Sequence, residues 1–147
     1  MTLRVEIVTP EAALWSGVAT ALVARSSEGD FTILDHHTAV VGDLVADLVR
    51  VETPEGDVTF AVHGGYFQVG PDLEAGVTLA SVLAGVAERT SEIDLERAQV
   101  AKEAAEAILA NASKNDDHDS AVHLVALQAL QRAELRLRAG AKTSGTP

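Results

Sequence analysis

The chain contains no cysteine, so disulfides and thiolate metal sites are excluded and stability has to come from packing. Aromatic residues are scarce. Trp15, Phe31, Phe60, Tyr66 and Phe67 are the whole set, and all five fall in the first half, which is therefore expected to hold the main core. No uninterrupted apolar run approaches the roughly 20 residues needed to cross a bilayer, and the N-terminus lacks the basic and apolar regions of a signal peptide. The expected location is the cytoplasm, without direct membrane insertion. Basic residues are also few, 11 against 22 acidic ones, giving a net charge of −11. Such a charge opposes binding to phosphate backbones and anionic lipid, so nucleic acid is not an expected partner.

What is present suits a folded protein. Hydrophobic residues make up 47% and charged residues 22% of 147 positions, enough for one modest core, or a small domain with an appendage. The charge is uneven: residues 1–87 carry 12 acids and 3 bases, residues 88–147 carry 10 and 8. From Ala121 onward the single acid Glu134 faces Arg132, Arg136, Arg138 and Lys142, so the far end is locally basic.

Two hydrophobic periods divide the chain. Leu3, Val5 and Ile7 alternate with Arg4 and Glu6, the two-residue period of a half-buried strand. Further strand-like runs are Ala19 to Ala24, Phe31 to Leu34, Leu48 to Glu52, Val58 to Val62, Tyr66 to Val69 and Val77 to Val82. Turn residues separate them, including Ser27-Glu28-Gly29-Asp30, Gly64-Gly65 and Gly70-Pro71-Asp72, while Thr53-Pro54-Glu55-Gly56-Asp57 is a strong hairpin signal. No helical segment intervenes, so residues 1–87 are expected to form an antiparallel β-sandwich or barrel.

From about Glu88 the period becomes helical. Ser91 is placed to cap a first helix, with Asp94 three residues on as a capping-box acid. Ala98, Ala101, Ala105 and Ile108 form a narrow stripe, and Val122, Ala126, Ala129, Ala133 and Leu137 form its match on a second helix. The polar break Ser113 to Ser120 supplies the connecting loop and, from Asp116, Asp117 or Asp119, an N-cap. The second helix is expected to run to about Ala139, with Gly140 as its stop. The fold class is thus α+β: a sandwich over 1–87, an antiparallel helical hairpin over 88–140 and a disordered tail over 141–147. Alanine buries little area, so the hairpin should be weakly held and suited to move.

Chemistry-bearing clusters are poor. His36, His37, His63, Asp116, Asp117, His118 and His123 invite a metal reading, but adjacent residues on a strand face opposite ways and no zinc-type spacing occurs, so no metal is expected. No nucleophile elbow and no glycine-rich phosphate loop ahead of a helix appears, and catalysis by this chain alone is not expected.

Several strings carry a family resemblance. These are Val5-Glu6-Ile7-Val8-Thr9-Pro10, Trp15-Ser16-Gly17, Ser27-Glu28-Gly29-Asp30-Phe31-Thr32-Ile33-Leu34 with His37 after it, and Ala61-Val62-His63-Gly64-Gly65-Tyr66-Phe67-Gln68-Val69. In this order, followed by a helical hairpin, the chain resembles the bacterial epsilon subunit of F-type ATP synthases along nearly its whole length. Trp15-Ser16-Gly17 looks like the family's turn after the opening strand, and the last string like its Gly-Gly aromatic hairpin. There are departures: Thr32 stands where the family often has Gly, Asp35-His36 where it often has Pro-Gly, and Thr38-Ala39 where it often has Ala-Pro.

The resemblance implies a non-catalytic central-stalk rotor part. Its sandwich would bind the gamma subunit and the c-ring, with Asp30 and His37 at the ring, at the cytoplasmic face of the membrane. Its hairpin would extend along gamma and inhibit ATP hydrolysis, with Arg136, Arg138 and Lys142 meeting acidic residues of a beta subunit, and the alpha subunits of the catalytic head nearby. Ile93-Asp94-Leu95-Glu96-Arg97-Ala98 looks like the motif through which some members bind regulatory ATP, joined by Glu88, Arg132 and Arg136; no cofactor is required. Arginines four apart share a helix face and offer planar forks to phosphate oxygens, while a carboxylate can accept from an adenine amine or a ribose hydroxyl. The competing reading makes Asp94 a helix cap and leaves the arginines solvated or paired with Glu103 and Glu106. For the whole chain, the competing reading is a stand-alone sandwich module that dimerises through its helices, against a free monomer in the first reading.

Overall fold

The computed structural model describes residues 2–114 and 121–144, with side chains described through residue 141. Eight strands come first: β1 (Thr2–Val8), β2 (Ala13–Ala19), β3 (Ala21–Ser26), β4 (Gly29–Ile33), β5 (Val40–Thr53), β6 (Gly56–Asp72), β7 (Val77–Ala84) and β8 (Ala87–Arg89). A 3-10 turn (Thr90–Glu92) and two helices follow, α1 (Leu95–Lys114) and α2 (Ala121–Ser144). The chain divides into two compact units between Arg89 and Thr90.

The first unit is a folded sheet of order β2-β1-β7-β6-β5-β3-β4, with β8 added along β6. Its pairs are antiparallel except β1 with β7, which run parallel. The alternation in β1 does what its period dictates: Leu3, Val5 and Ile7 are fully buried and Arg4 is exposed. The same inward face continues through Leu22, Ile33, Val49, Val51, Phe60, Val62, Phe67, Val69 and Val82, which close one core.

The long hairpin of β5 and β6 keeps one register from Val40 opposite Val69 to Thr53 opposite Gly56. Its outer half borders β8 and its inner half borders β7, so these two strands serve both layers of the sandwich. The runs read as separate strands at 58–62 and 66–69 are therefore one strand, and Gly64-Gly65 is no hairpin turn but a pair of positive-φ positions within β6. The reason is steric. Gly65 has φ 151°, and a Cβ there would collide with the carbonyl oxygen of Leu83. Trp15-Ser16-Gly17 likewise lies inside β2 rather than in a turn, and the single run read from Ala19 to Ala24 is broken between β2 and β3 at Thr20.

The second unit is the antiparallel helix pair. Its first helix starts later than the Ser91 cap implies. Asp94 is the N-cap itself: its Oδ1 accepts the Arg97 N–H at 3.1 Å and its carbonyl accepts the Ala98 N–H at 3.0 Å. Ala98 and Ala105 are buried on α1, and Ala126, Ala133, Leu135 and Ala139 on α2. Ile108 and Val122, placed in the stripes by spacing, are exposed at 43% and 64%, so the seam opens toward the loop end. Gly140 does not stop α2, which continues to Ser144 through positions read as tail. It is buried because Leu95 packs on it; an added Cβ would collide with Leu95 Cδ2 and lie 3.0 Å from Cγ. The proposed loop caps Asp116, Asp117 and Asp119, with His118, lie outside the described residues, as do positions 145–147.

Candidate functional site

Strand β4 and the segment that joins it to β5 hold the first candidate residues. Asp30 is exposed on β4, with Arg25 Nε of β3 3.3 Å from its Oδ1, and Arg25 also reaches Asp47 of β5 at 3.6 Å. The turn before it is tied down by Asp43, whose Oδ2 accepts the Ser27 N–H at 3.0 Å and whose Oδ1 accepts the Ser27 hydroxyl at 2.9 Å. These bonds, the hydroxyl first, hold the Asp43 carboxyl below the usual carboxylate range. Phe31 stacks on Phe67 with centroids 4.4 Å apart, and Gly42 leaves the room, since a Cβ there would sit 2.5 Å from the Phe67 ring.

His37 follows in a tight turn in which its N–H donates to the Leu34 carbonyl at 3.2 Å, while ring Nδ1 meets the Thr38 carbonyl at 2.7 Å. The turn depends on His36, whose φ is +63°, the left-handed region that few non-glycine residues enter. Asp35 and Thr78 secure it. The His36 N–H lies 2.9 Å from Asp35 Oδ1 and 3.0 Å from Thr78 Oγ1, and the Thr78 hydroxyl donates to Asp35 Oδ1 at 3.1 Å. Thr78 is only 3% exposed on β7. Sequence reading finds His37 but not Thr78, because nothing local marks a partner more than 40 positions away.

The nucleotide candidates are spread over both units. Glu88 lies on β8 in the sheet, its Oε2 3.4 Å from Nε2 of His63, whose side chain is 5% exposed. The remaining six, Ile93, Asp94, Arg97, Ala98, Arg132 and Arg136, belong to the helical unit. Asp94 spends one oxygen on its cap, and Ala98 is buried in the helix seam. With Leu95 packed on Gly140, a rise of about 1.5 Å per residue puts Arg97 and Arg136 within roughly 3 Å of level along the hairpin, and Arg132 roughly 9 Å from Arg97. Arg97 and Arg132 are exposed and Arg136 is half-buried. Glu103 is met by Gln99 at 3.1 Å and Glu106 by Lys102 at 3.8 Å, both within α1. Arg138 is exposed on α2; Lys142 is in its last turns, with a side chain outside those described. Toward the loop end, Ala101, Ala104, Ile108, Val122, Val125 and Ala129 line an open apolar groove of about 500 Å³. Among the described residues no cluster of three or more His, Asp or Glu could hold a metal.

Comparison with known proteins defines the class first. Residues 2–90 match the family model described as ATP synthase, Delta/Epsilon chain, beta-sandwich domain. The relatives extend the likeness through the helices: the chain is 38% identical over 138 residues to the ATP synthase epsilon chain of Streptomyces griseus, covering 93% of this chain and 94% of that one. It is 38% identical over 140 residues to the epsilon chain of Laribacter hongkongensis, covering 94% and 92%. The chain belongs to the ATP synthase epsilon chain family. It is accordingly a subunit of a larger enzyme and not the catalytic one. Its fold is also that of a chain in the cryo-EM structure of Euglena gracilis mitochondrial ATP synthase, OSCP/F1/c-ring in rotational state 1, with TM-score 0.71 at 21% identity, covering 97% of this chain and 81% of that one. A chain of the Tetrahymena thermophila mitochondrial central stalk and c-ring structure gives TM-score 0.54 at 13% identity, covering 98% and 97%.

Proposed function

We propose that this chain is a rotor part of the central stalk that joins the gamma subunit to the c-ring and restrains ATP hydrolysis through its helices. Family membership supports the setting, as do the c-ring and central-stalk assemblies that contain its structural neighbours. The observation that carries the reading is the division of labour in the fold: a fully packed sandwich, followed by a helix pair whose buried side chains are nearly all alanine. No described helix is long and apolar enough to cross a membrane. In this reading the chain is held at the cytoplasmic face by its protein partners.

In this reading Asp30 and His37 meet the ring. The helices open and extend along gamma, and Arg136, Arg138 and Lys142 engage acidic residues of a beta subunit beside its alpha neighbours. Deleting residues 91–147 should raise ATP hydrolysis by the assembled synthase; hydrolysis equal to the intact enzyme would remove the brake. ATP held by the closed hairpin through Ile93, Asp94, Arg97, Ala98, Arg132 and Arg136 would favour the closed state by mass action. The near-level placement of Arg97 and Arg136 supports this. Titration calorimetry should find ATP binding that Arg97→Ala with Arg136→Ala abolishes; equal heat from that variant would dismiss the site.

A further inference from the structure

The turn that carries His37 is built on an unfavourable residue. His36 holds φ +63°, which glycine adopts freely and histidine only at a cost. The left-handed conformation is held by two groups, the Asp35 carboxylate and the Thr78 hydroxyl, and the His36 ring also lies 3.4 Å from Asp35 Oδ2. The His36 N–H points at Asp35 Oδ1 (2.9 Å) and Thr78 Oγ1 (3.0 Å), and the Thr78 hydroxyl closes the triangle onto Asp35 Oδ1 at 3.1 Å. Thr78 sits in the middle of the sheet, paired with Leu3 on one side and Pro71 on the other, and is almost fully buried. It is therefore a fixed point. Asp35, with a half-buried side chain, links that point to an otherwise exposed turn in which Leu34, His36, Thr38 and Ala39 face solvent.

We infer that Asp35, acting through Thr78, is a positioning residue that presets the His37 turn for docking to a partner. The inference rests on the proposed function in one respect, the identity of that partner as the c-ring. The physical logic is preorganisation: a turn already held in its bound shape spends less conformational entropy on association than a loose one. Strain at His36 is tolerated because the surrounding bonds over-determine it.

The test uses the full chain and the assembled synthase. In the free chain, Asp35→Ala and Thr78→Val should each speed amide exchange at His36 and His37 about five- to tenfold, while strand amides in β5 and β6 keep their protection. Adding His36→Gly to Asp35→Ala changes the cause of the strain. It should recover most of the proton-driven ATP synthesis that Asp35→Ala loses in the assembled enzyme, because glycine needs no clamp to hold positive φ. Unchanged exchange at His37 in Asp35→Ala would overturn the clamp, and a loosened turn with full synthesis would overturn its positioning role. His37→Ala reports on the partner separately: intact synthesis there, alongside the exchange change in Asp35→Ala, would refute ring contact at His37 and leave the clamp standing.

Discussion

The two units spend their hydrophobic residues differently. All ten of the largest fully buried side chains, from Phe60 and Leu3 to Val82, lie in the sandwich; the helices bury alanines and one leucine. A buried methyl contributes about 0.8 kcal/mol, whereas a buried Phe or Ile side chain contributes roughly 1.5 to 3 kcal/mol. The same number of contacts is thus worth far less in the second unit. The lesson is that helix length alone does not measure how firmly a unit is held, and a 24-residue helix can belong to the unit with the smaller buried side chains.

The comparison can be broken most sharply in the sandwich. Phe60 is fully buried at the centre of the core, so Phe60→Ala should cost about 3 to 5 kcal/mol. Trp15, the single tryptophan, lies on β2 and packs against that core, so its fluorescence reports on the sheet unit. Urea unfolding watched through Trp15 should shift by that amount; a shift below about 1 kcal/mol would show that the sandwich is not the stable half.

A smaller effect is expected from Gly140→Ala, and here two terms compete. Alanine gains about 1 kcal/mol of helix propensity over glycine, but overpacking a close contact costs about 1 to 3 kcal/mol. Leu95 decides the sign, because its Cγ would lie 3.0 Å from the new Cβ and its Cδ2 closer still. The helical circular-dichroism transition should move to lower denaturant by about 1 kcal/mol with the Trp15 transition unmoved, and Leu95→Ala should reverse the sign of the change. A stabilised helix pair in the single variant would mean that Leu95 swings aside freely.

Gly140 also shows why parts of the fold resist reading from sequence. Near the end of a helical pattern, glycine signals either a stop or a close approach, and the choice here depends on Leu95, which is on the other helix. Gly64-Gly65 is ambiguous in the same way, resolved by a carbonyl on β7. The pattern of α1 puts the cap at Ser91 with Asp94 as its capping-box acid, and only the hydrogen bonds move it to Asp94. What was legible is what local period controls: the alternation of β1, the Pro54-Glu55 hairpin between β5 and β6, and the change to helical spacing after the sandwich. The tight turn at His37 was not, because Asp35, Thr78 and His36 come together only through the sheet.

The mildest prediction concerns charge at the edge of the sandwich. Two bonds from Ser27 favour the ionised form of Asp43, so its folded-state pKa lies below the value of about 3.9 expected in the unfolded chain. A group shifted downward contributes stability that is fully present above the unfolded pKa and is lost as pH falls through the folded one. Asp43→Asn removes the charge but keeps a similar shape, so the variant should be less stable than the parent near neutrality, with the gap closing as pH drops below about 4. The effect should be modest because the carboxylate is solvent-accessible and screened. Unfolding midpoints for both proteins from pH 7 to pH 2.5 measure it. A gap that stays constant across that range would mean that Asp43 holds the Ser27 turn by shape and not by charge.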